Sequence, residues 1–377
     1  MSITDWSRQA LPAMLDDIKN LVELETPSYD KAALAAGLRA VRALAVERLG
    51  TPDDEVVHDG GAHGDVLELT YRGTAPGEVL MMSHYDTVWP AGTLAGWPFG
   101  VVDGKATGPG VFDMKTGLVQ SIWALRGLRE LGLPHPGVRF LFNGDEEIGS
   151  PASRQHIEAA SADVLASLVF EASLRGAVKT ARKGVGLFDV TVTGVEAHAG
   201  LDPTAGASAV HALAELVTVI AAGGRPELGT TVNVGLISGG TGRNVAAGLA
   251  TCGVDVRVSD FAEMERIDAL FAGLRPSDPR VSVSVAGSWN RPPMTPNPPS
   301  RRLFKEAQAT AAAQGWTLEE ASVGGASDGN FVSGLGRPVL DGMGAVGDGA
   351  HARHEYVLVE HIPERTALTI GLISALA

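Results

Sequence analysis

Apolar residues at Leu11, Met14, Leu15, Ile18, Leu21 and Val22 recur every three or four positions, the spacing that lays one helix face on a core. A second stripe carries Leu34, Leu38, Val41, Leu44 and Leu49, and Leu118 to Leu131 also reads as helix. Short apolar runs accompany them: Val66 to Leu69, Val79 to Met82, Val138 to Phe142 and Leu165 to Phe170. Runs of that length alternating with helical stripes predict an α/β fold, with a central, mainly parallel sheet buried between helices.

After Glu171 the pattern changes. Residues 178–192 read as strands, 205–222 as a helix, 231–237 and 249–258 as strands, 261–274 as a helix and 281–286 as a strand, together a compact α+β unit. The segment Arg291 to Ser300 holds five prolines, which suit neither helix continuation nor a central strand, and reads as a linker. A helix from Arg301 to Gln314, the short run Pro338 to Leu340 and a helix from about Ile362 then follow. The expected organisation is a smaller domain, 180–291, inserted into a larger one made of 1–179 and 292–377. No internal repeat or low-complexity tract interrupts it.

A length of 377 residues suits two domains. Thirty basic against 44 acidic side chains leave a net charge of −14, a balance that repels phosphate backbones and anionic lipid, so neither nucleic acid nor membrane is an expected partner. With Cys252 as the one cysteine, an intrachain disulfide and a thiolate zinc site are both excluded. Asp5, Asp16 and Asp17 interrupt what would be the apolar part of a signal peptide, and no segment approaches 18 apolar residues. A cytoplasmic protein is expected.

The polar clusters stand at the ends of the predicted strands, where open α/β sheets place ligands. His84 and Asp86 follow the first central run and, two apart in extended chain, share a face, so that the carboxylate can hold a metal-ligating imidazole by its second nitrogen. A turn histidine with a capping aspartate fits the same residues. Gly108-Pro109-Gly110-Val111-Phe112-Asp113-Met114-Lys115 lacks the third glycine of a dinucleotide fingerprint and any following Gly-Lys-Ser/Thr. Its glycines instead permit a tight turn that presents Asp113 ahead of a helix, where a capping role is also open. Asp145, Glu146 and Glu147 come directly after an apolar strand and repel one another unless cations compensate them. Glu171 ends the next run, and His351, His354 and Glu355 lie in a Gly-flanked stretch that reads as a loop. Imidazole and carboxylate donors without thiolates suit Zn²⁺, with Mn²⁺ or Co²⁺ as substitutes.

Taken in order, these stretches resemble the di-zinc amidohydrolases grouped around glutamate carboxypeptidase, aminoacylase and acetylornithine deacetylase. His84-Tyr85-Asp86-Thr87-Val88 is similar to that family's His-x-Asp-Thr-Val, Gly108 to Lys115 to its Gly-Pro-Gly-x-x-Asp-Met-Lys, and Asp145 to Ser150 to its Asp-Glu-Glu-x-Gly-Ser. The resemblance covers nearly the whole chain. It implies two divalent metal ions per chain, Zn²⁺ before Co²⁺ or Mn²⁺: His84 and Glu171 on one, Glu147 and His351 on the other, Asp113 bridging. Glu146 would be the general base and Asp86 would orient His84. It further implies that the inserted domain is a dimerisation domain, that His198 in Glu196-Ala197-His198-Ala199-Gly200 serves the partner subunit's active site in a homodimer, and that Asn244, Arg257 and Arg291 read the substrate carboxylate. His351 rather than His354 has the family's spacing to Glu355. Thr116 and Ala172 depart from the usual pattern, at positions that are not ligands.

The implied activity is metal-dependent hydrolysis of a peptide or N-acyl amide bond next to an amino acid with a free carboxylate. The segments Trp89-Pro90-Ala91-Gly92-Thr93 and Trp97-Pro98-Phe99 resemble the carboxypeptidase branch more than the deacylases. An N-acyl-amino-acid deacylase is the alternative, and a catalytically silent binding protein a further one that the presence of Glu146 disfavours.

Overall fold

In the computed structural model, which describes residues 1–377, the apolar runs become strands of one six-stranded sheet. Across it the order is Asp54–His58, Val66–Tyr71, Gly137–Asn143, Glu78–His84, Ala166–Val169, Val339–Leu340. The last four pair in parallel, and the first two join them antiparallel. Strand Glu78–His84 has a parallel neighbour on each side, and Val79 through His84 are all buried. A strand covered on both faces needs apolar side chains at successive positions, which is why this stretch reads as a run and not as an alternation.

Helices Ile3–Val22, Lys31–Leu49, Thr116–Glu130 and Ile362–Ala375 share one apolar core with that sheet. Gly117, at the start of the third, has no room for a side chain: a Cβ there would stand 1.9 Å from the carbonyl oxygen of Phe170. The helix backbone therefore abuts the chain immediately before Glu171. Asp17 joins three of the helices. Buried at 2% exposure, it accepts from Arg48 Nε and Nη2 at 2.8 and 2.6 Å and from Trp123 Nε1 at 2.8 Å.

The chain divides into two compact units, one of Met1–Ala181, Pro296–Val323 and Ser327–Ala377, the other of Arg182–Thr295 and Gly324–Ala326. The second is built on a four-stranded antiparallel sheet in the order Thr231–Gly239, Leu249–Val258, Gly184–Thr193, Ser282–Arg291. Along Leu249–Val258 every second side chain from Ala250 is buried, as in a sheet covered on one face. The buried side chains pack with helices Ala209–Ala221 and Phe261–Ala272 in a separate core that includes Val190, Val192, Leu216, Val256, Ile267 and Phe271.

Several boundaries differ from expectation. The strand expected at 281–286 is Ser282–Arg291, so Arg291 ends a strand and does not open a linker. Pro298 and Pro299 begin the helix Pro298–Ala313, behind Asn297, whose side chain accepts from the Ser300 N–H at 2.8 Å. Proline is compatible with the first helical turn, because its missing N–H would have no partner there anyway. Helix Arg154–Ala160, strand Asp54–His58 and a small sheet of Gly100–Val102, Lys105–Thr107, Tyr356–Leu358 and Gly347–Asp348 add to the elements that the sequence pattern predicts. Strands of two or three residues are too short to show a period.

Replacing Asp17 by alanine leaves the Arg48 guanidinium and the Trp123 N–H facing a partly buried void. Urea unfolding of Asp17→Ala is expected to show a loss of about 2–4 kcal/mol, and a loss below about 0.5 kcal/mol would assign the three-helix junction to apolar packing alone.

Candidate metal centre

His84 ends its strand inside the sheet, 2% exposed, and its ring is fixed from both sides. Nδ1 lies 3.0 Å from the carbonyl oxygen of Asp86 and 3.4 Å from its carboxylate. Nε2 faces Asp113 Oδ1 at 3.3 Å and Glu171 Oε1 at 3.5 Å. The Asp86 carboxylate also acts on the backbone: its two oxygens accept from the N–H groups of Glu146 at 3.3 Å and Glu147 at 3.2 Å, and Ser28 Oγ donates to it at 2.8 Å. One buried aspartate thus ties the end of the His84 strand to the turn that carries both glutamates.

That turn, Glu146–Ile148, follows strand Gly137–Asn143. The three consecutive carboxylates do not all face the cluster. Asp145 is fully buried and accepts from the N–H groups of Ala152 and Ser153 at 2.7 and 3.0 Å. Glu147 Oε2 lies 3.0 Å from His351 Nε2, and a carboxylate oxygen of Glu146 lies within 4.8 Å of ligand atoms on His84 and Glu171. His84, Asp113 and Glu147 form a second such group within the same limit.

Asp113 sits in the Gly-rich loop before helix Thr116–Glu130, next to a cis peptide to Met114. Its oxygens diverge: Oδ1 faces His84 at 3.3 Å and Oδ2 faces His351 Nε2 at 3.3 Å. Glu355 shapes this loop. Fully buried, it accepts from the N–H groups of Gly110 at 3.2 Å, Phe112 at 2.7 Å and Asp113 at 3.1 Å, and from Trp89 Nε1 at 3.1 Å. The spacing of His351 to Glu355 is visible in the sequence, but the four donors that Glu355 gathers lie more than 240 residues away and leave no local signal. His351 itself occupies the turn between Gly347–Asp348 and Tyr356–Leu358 at φ 61°, in the left-handed region that histidine enters more readily than most residues. His354 is exposed. Lys115, in the sequence only the last member of the Gly-rich motif, is buried and donates to the Leu24 carbonyl at 2.8 Å, and burial pushes its pKa down to about 7.

The electrostatics of the cluster call for positive charge. Burial opposes charge on His84, yet its hydrogen bonds with Asp113, Asp86 and Glu171 outweigh that and hold its pKa well above the ordinary value. Hydrogen bonds with Asp113 and Glu147 raise His351 to about 11. Partial burial opposes charge on Asp113, but the two histidines pull it far below the carboxylate range, while burial and the neighbouring Asp113 charge push Glu147 up to about 7. Glu147 Oε1 is buried with no hydrogen-bond partner. An acceptor left bare among carboxylates and imidazoles fits a divalent cation, for which nitrogen and oxygen donors of this kind are the usual set.

The remaining candidate residues lie in the second unit. His198 is exposed, and its Nδ1 accepts from the N–H groups of Gly200 and Leu201 at 3.2 and 3.1 Å. With Nδ1 an acceptor, the ring proton sits on Nε2, which is thereby a donor. Asn244 is exposed, and its backbone carbonyl accepts from the backbone N–H of Ala199, the residue after His198, at 2.8 Å, so these two candidates are neighbours. Arg257 and Arg291 both pair with Val185, from the strands on either side of it. Arg257 commits its fork to Asp255, with two bonds of 2.8 Å, whereas Arg291 is 3% exposed and donates to Asn290 Oδ1 at 2.8 Å.

Comparison with known proteins gives the lineage. The chain is 31% identical to carboxypeptidase G2 of Pseudomonas sp. (strain RS-16) over 96% of its own length and 89% of that protein's. It is 27% identical to succinyl-diaminopimelate desuccinylase of Dechloromonas aromatica, over 79% of this chain and 83% of that one. Among solved structures, aminopeptidase PepT from Bacillus cereus superposes with a TM-score of 0.79 at 21% identity, covering 97% of this chain and 98% of that one, a likeness of fold. Residues 80–375 match peptidase family M20/M25/M40, and the chain belongs to that family of metal-dependent hydrolases.

Proposed function

We propose that the protein cleaves a peptide or N-acyl amide bond next to an amino acid with a free carboxylate, using two divalent ions, Zn²⁺ in the first instance. One observation carries the two-ion reading: the diverging oxygens of Asp113 face His84 on one side and His351 on the other, both at 3.3 Å. In this reading His84 and Glu171 hold one ion, Glu147 and His351 the other, and Asp113 serves both. When bound, such ions supply Lewis acidity toward the amide oxygen and make water a stronger acid.

The chain's own groups do the rest. Glu146 takes a proton from the attacking water onto its carboxylate and returns it to the leaving amine nitrogen. Asp86 orients His84 and fixes the Glu146–Glu147 backbone, so that ligand and base share one anchor. His198 offers its Nε2 proton to the developing oxyanion, and in a homodimer it does so for the partner subunit's site. Arg291, Asn244 and Arg257 receive the substrate carboxylate, Arg257 by exchanging Asp255 for it. The higher identity to the carboxypeptidase relative, 31% against 27% for the desuccinylase, supports the carboxypeptidase branch over the deacylases, which the same centre would otherwise serve equally. A cytoplasmic location belongs to the same reading.

Purified protein supplied with Zn²⁺ should hold close to two ions per chain, and chelation should abolish hydrolysis until metal is restored. Glu146→Gln should keep both ions while losing about 10²–10⁴-fold in kcat; wild-type turnover in this variant would hand the base role to another group.

Arg291→Ala should cost about 1.5–3 kcal/mol in kcat/KM on free-carboxylate substrates, with Arg291→Lys a partial rescue because the planar fork is lost. The same substrates amidated at that carboxylate should be poor for the wild type and indifferent to the change. Equal losses on acid and amide would make Arg291 a purely structural residue.

Contribution in trans is tested by mixing Glu146→Gln with His198→Ala protein. Exchanged heterodimers contain one site with both residues intact and should regain activity that neither parent has. No recovery after demonstrated exchange would place His198 in its own subunit's site.

A further inference from the structure

The larger unit holds a recess of about 490 Å³ to whose wall no residue of the metal cluster contributes. That volume lies in the range of small-molecule sites. Charges of both signs line it: the guanidinium of Arg175, and the carboxylates of Glu319, Asp348 and Glu364, the last 3.3 Å from His361. The half-buried rings of Trp316 and Tyr356 add aromatic surface. Lys105 Nζ stands 4.1 Å from the centre of the Tyr356 ring, so that ring already receives one cation.

The wall continues into the metal centre. Arg175 is exposed on the tight turn from Leu174 to Ala177, four residues after Glu171. Fully buried Arg365 pins this turn by donating to the carbonyls of Gly176 at 2.9 Å and Gly344 at 3.1 Å, and the Gly344 N–H donates to the Glu171 carbonyl at 2.9 Å. Asp348 and Tyr356 pair across the hairpin whose turn carries His351. That hairpin also presses on the loop that presents Asp113, since a Cβ on Gly347 would stand 2.9 Å from the Phe112 ring.

We propose that this recess is a second ligand site, for a free α-amino acid with an apolar side chain, and that its occupancy slows the metal centre. The feedback rests on the hydrolytic reading given above, whereas the binding does not. A free amino acid presents a carboxylate that the planar fork of Arg175 matches, an ammonium for the three carboxylates, and a side chain for Trp316 and Tyr356. An N-acyl amino acid keeps the carboxylate but has no cation to set against Glu319, Asp348 and Glu364. Hydrolysis restores that cation, so the recess separates product from substrate by the one charge the reaction creates. A ligand bonded to both Arg175 and Asp348 adds a constraint between the segments that carry Glu171 and His351. Displacements below about 1 Å at such groups are enough to slow a reaction.

The test adds L-phenylalanine to metal-loaded enzyme working on a saturating N-acyl amino acid, which displaces ligands from the centre itself. L-Phenylalanine should lower kcat at least about twofold. Phenethylamine and 3-phenylpropionate, which each carry one of its two charges, should need at least about tenfold higher concentrations. Arg175→Ala and Trp316→Leu should each raise the concentration of L-phenylalanine required about three- to tenfold, with uninhibited kcat and metal content unchanged. Inhibition that saturating substrate relieves completely, or that neither variant moves, would overturn the feedback. Calorimetry with L-phenylalanine decides the binding independently of turnover, because the wild type should bind it more tightly than Arg175→Ala even if the enzyme cleaves no amide. Equal binding by the two proteins would remove the site while the hydrolytic reading stands.

Discussion

Buried negative charge is the constraint on which the larger unit depends. Asp86, Asp113, Glu147 and Glu171 gather around His84 and His351 at the ends of strands that are themselves sealed in apolar side chains. Carboxylates so placed lose hydration and repel one another. The imidazoles answer part of that demand, which is why both are driven toward their protonated forms. A cation answers it more completely, and with a cation present the imidazoles are free to act as neutral donors.

Around this centre the chain uses further carboxylates for a different purpose. Asp145 and Glu355 accept backbone N–H groups, and Asp86 does so in addition to its contacts with His84. Each draws a tight turn to a fixed place: the Ala152–Ser153 bend, the Gly110–Asp113 loop and the Glu146–Glu147 turn. Loops built this way need little apolar packing of their own, because charge-assisted bonds to peptide groups hold them. The acidic residues of the motifs thus divide between those that face the cluster and those that build its walls.

That division marks the limit of what could be read in the sequence. The strand runs and the order of polar clusters at their ends were legible, since burial on both faces imposes a run and the residues just past a strand end emerge where ligands bind. Which member of Asp145-Glu146-Glu147 turns away was not, because it depends on where the Ala152 and Ser153 N–H groups stand. The same holds for Glu355, whose partners come from the other end of the chain. Pro298 and Pro299 misled in the opposite way: a rule that forbids proline inside a helix says nothing of its first turn. The paired hydrogen bonds of Arg257 to Asp255 are local, two residues apart on one strand, and follow from same-face spacing.

The division into two units also has an evolutionary meaning. Every proposed metal ligand and the proposed base lie in the unit that contains the six-stranded sheet, whereas the groups proposed to read the substrate carboxylate lie in the unit that contains the four-stranded one. Each unit has a core of its own, so substitutions that retune recognition on the smaller sheet leave the packing under the metal ligands undisturbed. A lineage built on such a chain can change how the carboxylate half of its substrate is read by drift on a single module while inheriting its hydrolytic machinery intact.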